Sequence, residues 1–188
     1  LQAALKESDT IVPVYIFDEQ WLGKDQWGFQ RTGPFRMQFL LESLKDLKEH
    51  LQEIGSDLII GRGDPVVLLK EIAEQYECST IFASKEYTSE ETIVEDRLSQ
   101  ISDLRLFHNS PMIHPDDVTF EIERMPEVFT AFRKKVERYS EVRPPFKSPK
   151  SISSPNLSST PIPKLTDFGF EALQIDHRAA LPCKGGAL

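Results

Sequence analysis

The residues best suited to chemistry lie in one run, Ser84-Lys85-Glu86-Tyr87-Thr88-Ser89-Glu90-Glu91. It follows Thr80-Ile81-Phe82-Ala83, a short β-branched and aromatic segment that reads as a strand. Thr88 or Ser89 together with Glu91 matches a helix capping box, in which a hydroxyl and a carboxylate satisfy free backbone N–H groups. That pattern accounts for Thr88, Ser89 and Glu91 but leaves Glu86 unexplained. Glu86 falls at the carboxyl end of a strand, where parallel α/β sheets bind ligands. A carboxylate there accepts two parallel N–H bonds from an aminopyrimidine or amide edge.

Other chemistries find little support. No G-x-G-x-x-G and no Walker A lysine motif is present, and Gly61-Arg62-Gly63-Asp64 reads as a turn and helix N-cap. His108, His114, Asp116 and Asp117 are spaced too loosely for a zinc site, and loop histidines with a capping acid explain them more simply. The serines after Lys150 lie in low-complexity sequence and form no G-x-S-x-G elbow. Cys78 ends an apolar helix pattern and reads as buried, not as a positioned thiolate. Neither catalytic residues nor metal ligands are assigned.

The elements that must position Glu86 alternate between strand and helix. Ile11-Val12-Pro13-Val14-Tyr15-Ile16-Phe17 is a continuous apolar run, as in a buried parallel strand, with Pro13 tolerable near its start. Thr32-Gly33-Pro34 opens a long helix whose Leu40, Leu44, Leu47, Leu51 and Ile54 predict one apolar stripe, stopped by Gly55. Leu58-Ile59-Ile60 is the second strand, and Asp64-Pro65 starts the next helix. The third strand precedes a helix with Val94, Leu98 and Ile101 facing inward, and Leu104-Arg105-Leu106-Phe107 is the fourth. A last helix carries Phe129, Phe132, Val136 and Tyr139 on one face. Successive βαβ units predict a doubly wound parallel α/β sheet.

The 188 residues suit one domain with an appendage. The expected division is an α/β domain over residues 1–142 and a Pro/Ser-rich linker or poorly ordered tail over 143–188. A net charge of −8 argues against nucleic-acid binding by this part alone. Two distant cysteines, Cys78 and Cys183, suit a reducing, cytoplasmic setting without a disulfide framework. No apolar run reaches the roughly 20 residues of a membrane span. The opening Leu1-Gln2-Ala3-Ala4-Leu5 reads as the end of a helix, so further residues are expected upstream.

Together these stretches resemble the amino-terminal domain of photolyases and cryptochromes. Val12 to Asp18 is similar to that family's second strand, and Thr32-Gly33-Pro34-Phe35-Arg36 with Phe39 to Leu47 is similar to its next helix. Three stretches carry the DASH type: Lys85 to Glu91, His114-Pro115-Asp116-Asp117, and Met125-Pro126-Glu127-Val128-Phe129-Thr130-Ala131-Phe132-Arg133-Lys134-Lys135-Val136-Glu137. Phe168-Gly169-Phe170-Glu171 and Gly185-Gly186 resemble the tract before the family's helical domain.

The resemblance implies a light-harvesting domain that binds methenyltetrahydrofolate and passes excitation to FAD. It implies repair of cyclobutane pyrimidine dimers, preferably in single-stranded DNA, or blue-light sensing. FAD and DNA would be held by a helical domain absent from this chain, in a monomeric protein. Glu86 matches the acidic residue set against the pterin ring, with Lys85, Tyr87 and Thr88 beside it. Phe17 and Asp18, at the end of the neighbouring strand, are the implied pocket walls. The family's first, central strand is also absent, so the two halves of the sheet are expected to be unpaired and the fragment to fold poorly alone. A stand-alone nucleotide-binding or interaction module of the same class is the alternative, though it usually carries a Gly-rich phosphate loop. A regulatory domain without a flavin partner is a third.

Overall fold

Residues 1–141, 143–173 and 184–186 are described by the computed structural model; Cys183 lies outside them. The chain divides into two units, Leu1–Cys78 with Pro149–Leu188, and Ser79–Ser148.

In the first unit the order is α1 (Gln2–Glu7), β1 (Val14–Asp18), α2 (Glu19–Leu22), α3 (Pro34–Glu53), β2 (Ile59–Gly63) and α4 (Pro65–Gln75). β1 and β2 are parallel, from Val14 opposite Ile59 to Asp18 opposite Gly63. Pro13 stands just before β1, where only its carbonyl is used, accepting Ile59 N–H at 2.9 Å. Gly55 ends α3 at φ +90°, and the Ser56 N–H returns to the Leu51 carbonyl at 2.9 Å. β2 runs on through Gly61-Arg62-Gly63, so this stretch is strand and not turn. The glycines serve packing: a Cβ on Gly61 would lie 3.2 Å from Leu68 of α4. Asp64 caps α4 as expected, accepting Val66 N–H at 2.8 Å.

The core of this unit is Phe17, Met37, Leu41, Leu44, Leu51 and Leu58, joined by Ile152. The stripe on α3 is therefore rotated from the one predicted. Its buried side is Met37, Leu41, Leu44, Lys48 and Leu51, whereas Leu47 is 46 % exposed. Lys48 is what hides the true stripe from a hydrophobic count. Its stem lies along the core while the ammonium reaches Asp57 at 2.5 Å and the Leu58 carbonyl at 3.1 Å.

Residues 149–163, rich in Pro and Ser, lie along this core. Ile152 is buried and its N–H donates to the Ile54 carbonyl at 2.8 Å; Ile11 N–H donates to the Ser153 carbonyl at 2.9 Å. The Ser154 hydroxyl donates to the Ile11 carbonyl, and Thr160 Oγ1 accepts Ile60 N–H, each at 2.7 Å. Farther on, Gly185 N–H donates to Glu42 at 2.8 Å on α3.

The second unit holds β3 (Thr80–Ser84), α5 (Ser89–Ser99), β4 (Asp103–Phe107), two short 3-10 turns and α6 (Phe129–Tyr139). β3 and β4 are parallel, from Thr80 opposite Asp103 to Ser84 opposite Phe107. Leu98 of α5 and Val136 of α6 are buried. Ile101 lies beyond the end of α5 and is exposed, and so are Phe129 and Tyr139 on the predicted inner face of α6. The four strands thus pair as two separate two-stranded ladders, the unpaired halves expected from the sequence. Among the described residues no helix is long and apolar enough to cross a membrane.

Candidate functional site

The connection from β3 to α5, residues 85–88, is built by hydrogen bonds from three directions. Lys85 N–H donates to the Phe107 carbonyl at 2.8 Å, extending the β3–β4 ladder by one bond. Asn109, just past β4, donates its amide to the Ser84 hydroxyl at 3.0 Å. From α5, Glu95 reaches back: its Oε1 accepts the Glu86 N–H at 2.7 Å, and its Oε2 pairs with the Lys85 ammonium.

The side chains in this run are nearly all engaged within the protein. Tyr87 lies against His108, with its hydroxyl 2.5 Å from Nδ1 and the rings stacked 5.9 Å apart. His108 in turn meets His114 edge to face at 5.4 Å. Thr88 is the N-cap residue of α5, but its hydroxyl makes no cap bond to the backbone. It donates to Glu91 Oε2 at 2.7 Å, a side-chain version of the capping box read from the sequence. Glu86 differs: among the described residues its carboxyl has no hydrogen-bond or ion-pair partner. Partial burial, then the charges of Glu91 and Glu95, raise its pKa above the ordinary carboxylate value.

Phe17 and Asp18 belong to the first unit. Phe17 is 3 % exposed, held between Tyr15 at 5.0 Å and Phe168 at 4.9 Å. Asp18 caps α2, accepting Gln20 N–H at 2.8 Å. Lys85, Glu86, Tyr87 and Thr88 thus form one local cluster, while Phe17 and Asp18 are neighbours of each other on β1. Cys78 is partly buried, and burial raises its thiol pKa, so it is held as the thiol. A pocket of about 320 Å³ between Asp117, Glu141, Arg143 and Pro144 is lined by none of the six candidates.

Sequence reasoning missed Glu95 and the pairing of His108 with Tyr87. Glu95 is one of several acids on α5, and only its burial, at 8 % exposed, distinguishes it.

The sequence matches the family model for DNA photolyase over residues 1–150. It is 40 % identical over 192 residues to the cryptochrome DASH of Gloeobacter violaceus, an alignment covering 99 % of this chain and 38 % of that protein. The crystal structure of a cryptochrome from Synechocystis superposes with a TM-score of 0.89 at 33 % identity, covering 98 % of this chain and 40 % of that one. An archaeal photolyase from Sulfolobus tokodaii, solved with two FAD molecules, superposes with a TM-score of 0.66 at 18 % identity, a likeness of fold alone. It covers 88 % of this chain and 37 % of that one.

Proposed function

Because this chain belongs to the DNA photolyase family and resembles the amino-terminal α/β region of its DASH cryptochromes, we propose that it is the antenna-binding part of a light-driven flavoprotein. The chain spans about two fifths of the length of these relatives, and FAD is assigned in this proposal to the remainder. The full protein is then a photolyase acting on cyclobutane pyrimidine dimers, with single-stranded DNA preferred, or a blue-light sensor built on the same parts. DNA is contacted through that remainder, in keeping with the net charge of −8 here. The protein is proposed to be cytoplasmic and monomeric.

The observation that carries this reading is the free carboxyl of Glu86. From Ser84 to Thr88 every other polar side chain has a partner within the protein. A partly desolvated, unpartnered carboxyl costs stability unless something else meets it. The amino-pyrimidine edge of a pterin supplies two N–H donors at the spacing of one carboxylate. The chemistry of the residues therefore fits methenyltetrahydrofolate, which when bound supplies near-ultraviolet to blue absorption for transfer to the flavin. Glu86 orients the ring by its two acceptor oxygens. The Tyr87–His108 pair gives a stacked aromatic surface beside it, and Thr88 holds the start of α5.

The test uses the protein as expressed from its gene. Absorbance is recorded with and without added methenyltetrahydrofolate, for the wild type and for Glu86→Gln. The wild type is expected to gain a near-ultraviolet folate band that the variant lacks. A band that survives the substitution unchanged overturns the assignment.

A further inference from the structure

The geometry points to Glu95 as the positioning residue of this site, the group that fixes Glu86 and withdraws Lys85 from the ligand. This deepens the reading of Glu86 as the folate-binding carboxylate and rests on it.

Glu95 lies on α5 with its side chain only 10 % exposed, yet both of its oxygens are used. One accepts the Glu86 N–H at 2.7 Å, and the other pairs with Lys85. Two successive loop residues are thus tied to one carboxylate. Residue 85 is held a second time through its N–H on Phe107. With the backbone pinned on both sides, the carboxyl of Glu86 is the part of the connection left without a partner among the described residues.

A purely structural account of Glu95 is weak on energetic grounds. A buried ion pair roughly breaks even against well-packed apolar groups of the same volume. What the pair provides is direction: an aliphatic residue at position 95 would fill the space but would leave the Glu86 N–H and the Lys85 ammonium unassigned. Lys85 would then be free to neutralise Glu86, the carboxylate that the ligand needs. Holding Lys85 against Glu95 prevents this. Glu95 touches no ligand in this arrangement; it acts through Glu86, as an outer residue orients an inner one.

The experiment is a double-mutant cycle on the protein as expressed from its gene, with methenyltetrahydrofolate titrated by absorbance. Glu95→Ala is expected to weaken folate affinity on the order of 10-fold, the lower end for loss of an orienting residue. Glu95→Gln keeps an oxygen for the Glu86 N–H but gives up the charge that holds Lys85, and is expected to recover only part of that loss. Asp96→Asn removes the same charge from the next position of α5 and is expected to leave affinity unchanged. The deciding result is the cycle with Glu86→Ala. If Glu95 acts through Glu86, adding Glu95→Ala to Glu86→Ala costs nothing more, a strongly non-additive outcome. Additive losses, or wild-type affinity in Glu95→Ala, overturn the inference while leaving Glu86 in place. Undiminished binding in Glu86→Ala sinks the site reading itself, and this inference with it. Should Glu95→Ala fail to fold, the same cycle run with Glu95→Gln gives the same discrimination on a smaller scale.

Discussion

Replacing Lys48 by Met gives a stringent test of how the first unit is held together. Lys48 and Asp57 have side chains 11 % and 15 % exposed, with Nζ and Oδ1 2.5 Å apart. Methionine keeps the unbranched stem that packs along α3 but removes the charge. Asp57 then retains the Leu58 N–H at 2.7 Å, the Gln52 amide at 3.3 Å and the Ser159 side chain, but not the Lys48 cation. Breaking one side of a buried pair costs about 3–5 kcal/mol, and the three surviving donors put this case near 3 kcal/mol. With a urea dependence of about 2 kcal/mol per molar, the unfolding midpoint falls by about 1.5 M. The double variant Lys48→Met with Asp57→Asn removes the stranded charge and is expected to recover most of the loss. The sign with pH follows from Asp57. Burial pushes its carboxyl up, but the Lys48, Leu58 and Ser159 hydrogen bonds outweigh this and hold its pKa below the ordinary 3.8. The contribution is therefore complete above about pH 3.8 and is lost as the pH falls through the lower folded value. Urea unfolding followed by circular dichroism at neutral and acid pH measures both effects. A loss under about 1 kcal/mol at pH 7 would refute the reasoning, because it means that solvent already screens the pair. So would a difference between wild type and Lys48→Met that does not narrow in acid.

Three further outcomes are expected. Ile152→Ala should cost about 2–4 kcal/mol in urea unfolding, because the side chain is buried in the core; an effect under about 0.5 kcal/mol would make residues 149–163 a tail after all. Gly185→Ala should release residues 184–186 from α3, since a Cβ there would lie 2.0 Å from the Phe39 carbonyl; faster amide exchange at positions 185 and 186, with little change in global stability, is the readout. Glu86→Gln should raise the stability of the ligand-free protein slightly at pH 7, by about 0.5 kcal/mol or less. The cost of ionising a carboxyl whose folded pKa is raised sets in as the pH rises through the unfolded value, is complete above the raised folded value and is absent in acid below both, so the gain should vanish there; a variant less stable at pH 7 would contradict the account of Glu86 as an unpartnered group.

Much of this was legible in the sequence, and the misses share a cause. The alternation of short apolar runs with 3.6-period stripes located all four strands and the longer helices between them, but not the single turn of α2. The Asp64-Pro65 cap and the Gly55 stop were readable because each depends on the local backbone. The α3 stripe was misplaced by one position because Lys48 counts as polar in any pattern while its stem packs as an apolar group. Residues 149–163 give no periodic signal, because the hydrogen bonds of Ser153, Ser154 and Thr160 to Ile11 and Ile60 join positions 100 or more apart in the chain. Glu86 stood out by its place at a strand end. Its support from Glu95 did not, since a buried acid on a helix looks like a solvated one until the fold closes over it.

The first unit is discontinuous, made of Leu1–Cys78 and Pro149–Leu188, whereas Ser79–Ser148 is a single stretch. Order of synthesis and order of closure therefore differ. On a ribosome the contiguous unit can form as soon as Ser148 has emerged. The earlier-made strands β1 and β2 must wait for Ile152, Ser153 and Thr160 before their exposed backbone groups and core are covered. Until then Phe17, Leu44 and Leu58 lack part of their cover, the kind of transient apolar surface that chaperones bind. The residues after Pro149 thus act late and as a latch, and a nascent chain stalled before them would present a half-closed core.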